Sequence, residues 1–369
     1  MRLDDLPTPA LLLDLDRLEA NIAWMAARAQ TLAVRLRPHV KTHKCVEIAE
    51  RQRAAGARGI TVSTLFEARV FTDHGFDDLT WAYPLIPGRL DEARELAGRS
   101  RLGMRVRLNL TVDGQPAIEA LDAAGEPFDV WLKVDSGYHR AGVNPRSAQA
   151  IELAHQLHTS QVVRFAGILS HSGHAYHGRS HDHIARIAEQ DRKTMTRFAE
   201  KLRQRDIAVP AVSVGSTPAV RATTTLDGVD EIRPGNYVFY DSTQCALGSC
   251  TPRECALTVL ATVVSAQPAG KHSIIDAGAL ALSKDPGPEL AAHPGMGRIY
   301  TEYETGRLDS ERQVTSVSQE HGVVNAWLPV GTRLRVLPNH SCLTAAQFDE
   351  YHVVRGNEVV DHWKIWRGR

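Results

Sequence analysis

Eight short β-rich runs, most of them separated by charged amphipathic stretches, set the frame of this chain. They are VRLRPHV (34–40), GITVST (59–64), DLTWAY (78–83), RVRLNL (105–110), FDVWLKVD (128–135), FAGILSH (165–171), AVSVGS (211–216) and DEIRPG (230–235). The segments between them read as helices, as in KCVEIAERQRAA, RSAQAIELAHQLH and DHIARIAEQDRKTMTRFAEKLRQR, while TPAVRATTTLDGV before the last run is shorter and weaker. Strands alternating with helices imply βα units and a parallel sheet. Eight such units over about 215 residues predict a (β/α)8 TIM-type barrel. A doubly wound open sheet would show fewer strands and a glycine fingerprint after the first, which this chain lacks.

From Cys255 the rhythm changes. CALTVLATVVSAQ, HSIIDAGAL, RQVTSVSQEHGVVNAW, GTRLRVLPNH and EYHVVRGNEVVDHWKIW are strand-like, with turns between and almost no helical period. The expected organisation is a barrel over 15–250 followed by an all-β domain over 251–369. TPALLLDLD near the start is also strand-like and is assigned, with 1–14, to the β domain.

Bulk properties exclude several function classes. The 369 residues carry 43 basic and 43 acidic side chains, so no charge excess points to nucleic acid or anionic lipid. The longest apolar runs, such as ALLLD and VLATVV, are too short to cross a bilayer, and MRLDDLPTPA has no signal-peptide core. Five cysteines, an odd number, do not form a disulfide framework, and a reduced cytoplasmic compartment is expected. Cys245, Cys250 and Cys255 have no recognised zinc spacing and read as core or loop thiols.

The chemistry is sought at the carboxyl ends of the strands, where barrels carry their active sites. RPHVKTHK (37–44) sits there after the first run. Burying a lysine is costly unless it is paired, neutral or covalently occupied, so Lys41 reads either as part of a solvated loop or as a working amine. Such a lysine can form a Schiff base with an aldehyde cofactor. Barrels often bind phosphate after strands seven and eight. Here those loops are GSTPA (215–219) and RPGNYVFYD (233–241), which supply hydroxyl and backbone donors. After strand five, DSGYHRAG (135–142) offers Arg140 to an anionic oxygen, or simply a surface arginine in a turn. The loop after strand six, SHSGHAYHGRSHDH, is rich in histidine, but only His177 and His181 have helical i,i+4 spacing; Tyr176 is the residue there that could reach a bound ring. Finally, His340 and Cys342 in PNHSCLT would point the same way on a strand or extended loop. Imidazole with thiolate favours zinc and leaves open coordination positions. The competing reading is a buried cysteine beside a structural histidine.

Taken together, RPHVKTHK, KVDSGYHRAG, GSTP, RPGNYVFYD and PNHSCLT resemble the fold-type III pyridoxal-phosphate enzymes of the D-serine dehydratase and D-threonine aldolase group, in order and over essentially the whole chain. The resemblance implies the alanine-racemase architecture, a barrel followed by a β domain that carries a metal site. It implies Lys41 as the catalytic Schiff-base lysine. Ser216, Thr217, Gly235 and Asn236 would hold the phosphate, with Tyr237 or Tyr240 nearby. Tyr176 would approach the pyridine nitrogen, Arg140 the 3-oxygen side, and His340 with Cys342 the metal. Aldolases of the group tend to carry aspartate where this chain has Cys342, whereas dehydratases tend to carry His-x-Cys and use zinc; Mn2+ or Mg2+ is the alternative ion. The implied activity is β-elimination of a D-β-hydroxy amino acid to a 2-oxo acid and ammonia. The alternatives are retro-aldol cleavage to glycine and an aldehyde, and a non-catalytic pyridoxal-phosphate homeostasis protein, against which the extra β domain argues. A homodimer is also implied.

Overall fold

The computed structural model describes residues 1–98, 100–101, 104–288, 290 and 294–368. After strand β1 (Ala10–Asp14) and helix α1 (Leu15–Thr31), the expected alternation begins. It runs through β2 (Arg35–Leu36), α2 (Val46–Ala54), β3 (Ile60–Val62), α3 (Leu65–Asp73), β4 (Asp78–Pro84) and α4 (Leu90–Gly98). A two-residue hairpin, β5 (Ser100–Arg101) with β6 (Met104–Arg105), interrupts it. It resumes with β7 (Arg107–Val112), α5 (Gln115–Ala124), β8 (Asp129–Lys133), α6 (Ala148–Thr159), β9 (Arg164–Leu169), α7 (His181–Arg203), β10 (Val212–Val214), α8 (Thr217–Ala222) and β11 (Glu231–Ile232). Each of the eight β-rich runs therefore holds one parallel strand.

These strands form one sheet in the order β2-β11-β10-β9-β8-β7-β4-β3. Its two edges meet through a parallel bridge between His39 and Thr61, where Thr61 N donates to Pro38 O at 2.8 Å. The result is a curled, TIM-like sheet with helices outside. The pattern follows from burial on both faces: all five residues of β8 are buried, as expected for a parallel strand covered by helices. In α7, Ile184, Ile187, Ala188, Met195, Phe198, Ala199 and Leu202 are buried at helical spacing, and Ser180 caps the N-terminus by accepting from His183 N at 3.1 Å.

The interior of this sheet is unusually polar. Arg37 donates to Glu231 at 2.8 Å and to both carboxylate oxygens of Asp78 at 2.9 Å, and Asn109 also donates to Asp78. Branched apolar side chains usually fill such a space. Here the ion network leads up to Arg233, whose guanidinium is held by Ser213 Oγ and Ser170 O beneath the site.

The remaining strands are β12 (Leu257–Gln267), β13 (His272–Ile275), β14 (Gly297–Glu302), β15 (Arg307–Val317), β16 (Gly322–Val324), β17 (Arg333–Leu337), β18 (Glu350–Arg355) and β19 (Glu358–Lys364). With β1 they form a nine-stranded sheet in the order β13-β16-β15-β14-β17-β12-β1-β18-β19, and a further β12–β13 pairing curls it into a barrel. Within it, β1 runs antiparallel to β12 and parallel to β18. Its alternation faces two cores: Leu11 and Leu13 join the main core, while Ala10 and Leu12 pack with Leu6, Leu260 and Val354. Each fully buried leucine contributes about 1.5–3 kcal/mol, so β1 fastens the β sheet to the parallel one. The strand-only expectation for the C-terminal region needs correction. It also contains the short helices α10 (Ala279–Leu282) and α11 (Ser341–Ala345), and α9 (Ser242–Ala246) precedes it.

Candidate active site

The sequence 37–44 folds as a tight turn rather than an open loop. Leu36 ends β2, and His39 leads into a 3-10 turn over Val40–Thr42 that the fully buried Val40 anchors. The turn separates four similar side chains. His43 points into the core, where its Nδ1 accepts from Cys45 N at 3.1 Å and its Nε2 lies 3.3 Å from Gln52 Oε1; burial lowers its pKa to about 3. Lys44 pairs with the buried Glu67. His39 and Lys41 remain facing a cavity. Lys41 Nζ has no hydrogen-bond partner among the described residues. Burial holds its pKa below the ordinary value, Arg140 adding to the effect and Cys342 opposing it.

The cavity has two lobes of about 550 and 540 Å³, which share His39, Lys41, Arg140, His171 and Arg233. All the predicted site residues except Tyr237 and its alternative Tyr240 line the second lobe. The first lobe adds Lys133, at the carboxyl end of β8, whose Nζ donates to Ala82 O at 3.3 Å. Burial, then Arg233 and Arg140, push the Lys133 pKa down to about 8. The cavity is thus strongly cationic where the lobes meet, which suits an anionic guest.

Gly215, which lines the first lobe, adopts a φ of 130°, and Ser216, which lines the second, donates from Oγ to Ser172 O at 3.2 Å. Thr217 Oγ1 accepts from Tyr237 N at 3.2 Å, which joins the two loops predicted to hold phosphate. Gly235 has an ordinary φ, but a Cβ there would lie 2.8 Å from Thr42 Oγ1 and 2.9 Å from His39 O. Glycine at 235 lets this loop press against the Lys41 turn. Asn236 Nδ2 donates to Asp241 Oδ2 (2.7 Å) and Ser341 Oγ (2.9 Å), while its buried Oδ1 has no partner among the described residues. Tyr237 is placed differently from expectation: its fully buried hydroxyl accepts from Gln52 Nε2 at 2.9 Å, and its side chain does not line either lobe. Tyr176 does line the second lobe; burial raises its pKa, so it stays a neutral phenol. Arg140 is exposed, its guanidinium 5.0 Å from the Tyr138 ring centroid.

His340 and Cys342 also line the second lobe, with Cys342 Sγ 3.6 Å from Asn236 Nδ2, but they are not on a strand. His340 caps α11, with Leu343 N and Thr344 N donating to its carbonyl, and Cys342 is in the first turn. The i,i+2 strand argument therefore fails locally, and helix geometry brings the pair into the cavity instead. His340 Nδ1 contacts Asp285 Oδ2 at 2.8 Å, which leaves Nε2 for another partner. Cys342 Sγ lies 3.4 Å from Thr42 Oγ1, one residue beyond Lys41. Burial alone would raise the Cys342 pKa, yet the adjacent His340 holds it below the ordinary value.

Several cavity residues escaped the sequence reading. Lys133 could have been found by the logic that picked Lys41, since it too ends a strand. Arg233 opens the RPGNYVFYD loop, whose sequence suggests only hydroxyl and backbone donors. Asp241 accepts from Asn236 Nδ2, Ser341 N and Ser341 Oγ, so it ties the loop over 233–241 to helix α11; no local signal marks it. Of the histidine-rich loop, His171 and His177 line the second lobe, and no three-ligand cluster among the described residues draws on that loop.

The comparisons with known proteins match this layout. Residues 13–243 match the family described as alanine racemase, N-terminal domain, and residues 256–354 match a serine dehydratase domain. D-threo-3-hydroxyaspartate dehydratase of Delftia sp. is 39% identical over 98% of each chain. D-serine dehydratase of Dictyostelium discoideum is 33% identical over 98% of this chain and 97% of that one. D-threonine aldolase of an Arthrobacter species is 33% identical over 97% and 92%. A solved structure of a cysteine-to-alanine mutant of D-threo-3-hydroxyaspartate dehydratase, in the metal-free form, superposes over 100% of both chains with a TM-score of 0.94 at 39% identity. This chain therefore belongs to the alanine racemase N-terminal domain family, with a serine dehydratase domain following it.

Proposed function

We propose that this chain is a pyridoxal-phosphate- and zinc-dependent lyase that eliminates water from a D-β-hydroxy amino acid, giving a 2-oxo acid and ammonia. One observation carries the reading: a half-buried lysine, without a hydrogen-bond partner among the described residues, shares one cavity with a histidine–thiol pair, and Thr42 beside Lys41 touches Cys342. The residues fit the cofactor. Lys41 would hold its aldehyde carbon. Ser216, Thr217, Gly235 and Asn236 would hold the phosphate through hydroxyl and backbone N–H donors, with the close approach of the Gly235 loop to the Lys41 turn as a supporting sign. Tyr237 would contribute through its backbone only. Imidazole nitrogen and thiolate suit zinc better than Mg2+ or Mn2+, which prefer oxygen donors.

Pyridoxal phosphate, when bound, supplies an electron sink that makes the substrate Cα–H acidic, and zinc supplies a Lewis acid for the β-hydroxyl. The remaining work falls to the protein. A depressed pKa makes the neutral Lys41 amine accessible, so Nζ can take the α-proton. Because Lys41 occupies one wall, it serves one enantiomer. Arg140, Arg233 and Lys133 offset the anionic charge of cofactor and substrate carboxylate. Asp285 orients His340 through Nδ1. Loss of water across Cα–Cβ and hydrolysis of the released enamine complete the conversion.

Retro-aldol cleavage to glycine and an aldehyde is the second reading, since the same cavity serves both; Cys342 favours elimination. The reading also takes 15–250 as the cofactor domain, and 251–369 with 1–14 as the domain that carries the metal. It places a homodimer in the cytoplasm. Incubation with D-serine, D-threonine and 3-hydroxy-D-aspartate tests the chemistry. Oxo acid with ammonia is expected; glycine with an aldehyde would select the aldolase, and neither would refute both. Lys41→Ala should abolish the bound cofactor's visible absorbance.

A further inference from the structure

A second group of reactive side chains lies outside the cavity. Residues 245–255 begin at the end of α9, pass a turn at Gly248 (φ 71°) and return toward β12. The turn is closed by Gly248 N to Cys245 O (3.0 Å) and Ser249 N to Gln244 O (2.9 Å). This path stacks three cysteines that are five residues apart. Cys245 Sγ lies 3.5 Å from Cys250 Sγ and 3.5 Å from Cys255 Sγ. The site is independent of the proposed pyridoxal-phosphate chemistry.

The three ligand atoms lie within 4.8 Å of one another, close enough to meet at one ion. Four-coordinate zinc with sulfur at about 2.3 Å sets sulfurs about 3.8 Å apart and requires a fourth donor. Among the described residues, no further histidine, cysteine or carboxylate joins the three thiols. The triad is also asymmetric. Cys245 is partly exposed, whereas Cys250 is 8% and Cys255 0% exposed. Hydrogen bonds from the Cys250 and Cys255 thiols hold the Cys245 thiol below its ordinary pKa, while burial raises the other two. A partly exposed thiol of lowered pKa beside a buried partner suits a peroxide-reactive cysteine and its resolving thiol.

The two neighbours differ in freedom to move. A disulfide requires sulfurs at about 2.05 Å, so a gap of about 1.5 Å must close. Cys255 is fixed: its N donates to Pro252 O, and its O accepts from Arg17 (3.1 Å) and Tyr303 (3.3 Å). Cys250 has neither backbone group hydrogen-bonded among the described residues. We propose that Cys245 is a hydroperoxide-reactive thiol that closes a reversible disulfide with Cys250.

In the first step the Cys245 sulfur attacks a peroxide oxygen. An S–O bond forms, the O–O bond breaks, and the departing hydroxide leaves as water after taking a proton. In the second, the Cys250 sulfur attacks the sulfenic sulfur. The S–S bond forms, the S–O bond breaks, and the oxygen leaves as water with the Cys250 proton. Two thiols and one hydrogen peroxide thus give one disulfide and two waters, and a dithiol reductant restores the start.

Peptide mapping is the test, because Cys342 is also oxidisable and would confuse an activity readout. The holoenzyme is treated with hydrogen peroxide, its free thiols are alkylated and it is digested with trypsin. Cys245 and Cys250 share the peptide 222–253, and Cys255 lies on 254–271. The expected product is the first peptide, unalkylated and lighter by two hydrogens, reverting with dithiothreitol. In Cys250→Ser, Cys245 should instead be trapped as a sulfenic acid by a 1,3-dione. Unchanged alkylation of Cys245 after peroxide, or a bridge joining the two peptides, would overturn the proposal. So would one equivalent of zinc held by the His340→Ala protein and lost on Cys245→Ser.

Discussion

Gly235→Ala offers a sharp test of the site, because one added carbon meets the turn that carries Lys41. Gly235 has a φ of −123°, outside the left-handed region that favours glycine, so the choice of glycine is not set by a positive φ. The contacts decide the outcome. The new Cβ would sit 2.8 Å from Thr42 Oγ1, 2.9 Å from His39 O and 3.2 Å from His39 Cβ, against ordinary contact from 3.4 Å. The carbonyl contact must open by about 0.5 Å, and backbone cannot swing aside as a side chain can. Overpacking of this kind costs about 1–3 kcal/mol. If the strain is relieved by moving the His39–Thr42 turn, Lys41 leaves its place, and cofactor affinity should fall by about 5- to 150-fold. Titration of the apoprotein with pyridoxal phosphate, followed by visible absorbance, measures this. Gly88→Ala is the control, since a Cβ there meets nothing within 4 Å. Equal affinity and equal Tm for Gly235→Ala and the parent would refute the reasoning.

Three other outcomes follow from the same geometry. Asp285→Asn should weaken zinc binding by about 10- to 100-fold, because Asp285 orients His340 at 2.8 Å; an unchanged competition titration would count against the metal assignment. Tyr237→Phe leaves Gln52 Nε2 without its acceptor and should lower stability by about 1–3 kcal/mol, with cofactor absorbance kept; loss of absorbance at unchanged Tm would contradict the buried placement. His39, His43 and His171 are held by burial below their ordinary pKa, His43 at about 3. The unfolded chain then binds more protons as pH falls below about 6.5, so stability present above that value is lost toward pH 3. Tm should decline between about pH 6.5 and 4.5, above the ordinary carboxylate range, and a flat profile would sink the argument.

Much of the parallel sheet was legible because each strand carries a compact apolar run and each helix a 3.6-residue period. Local patterning also marked β1 as a strand, since Ala10–Leu13 are apolar without interruption. The placement of Lys41, Ser216 and Thr217 at strand ends followed from counting strands. Other features depend on partners far away in sequence. His43 and Lys41 are near-identical as sequence signals, yet Gln52 and Cys45 draw one into the core and leave the other at the cavity. Tyr237 resembled a cofactor ligand until Gln52 claimed its hydroxyl. Asp241 gains its role only when Ser341, one hundred residues away, folds against it. The three cysteines read as unrelated thiols because no spacing rule describes a helix end, a turn and a strand entry that converge. By itself, then, the sequence determined the periodicity, and with it the βα architecture, the C-terminal β region and the strand-end positions of the chemistry. Tertiary structure alone decided which polar groups are spent on one another and which remain available in the cavity, because hydrogen-bond partners and burial are set by contacts between distant segments.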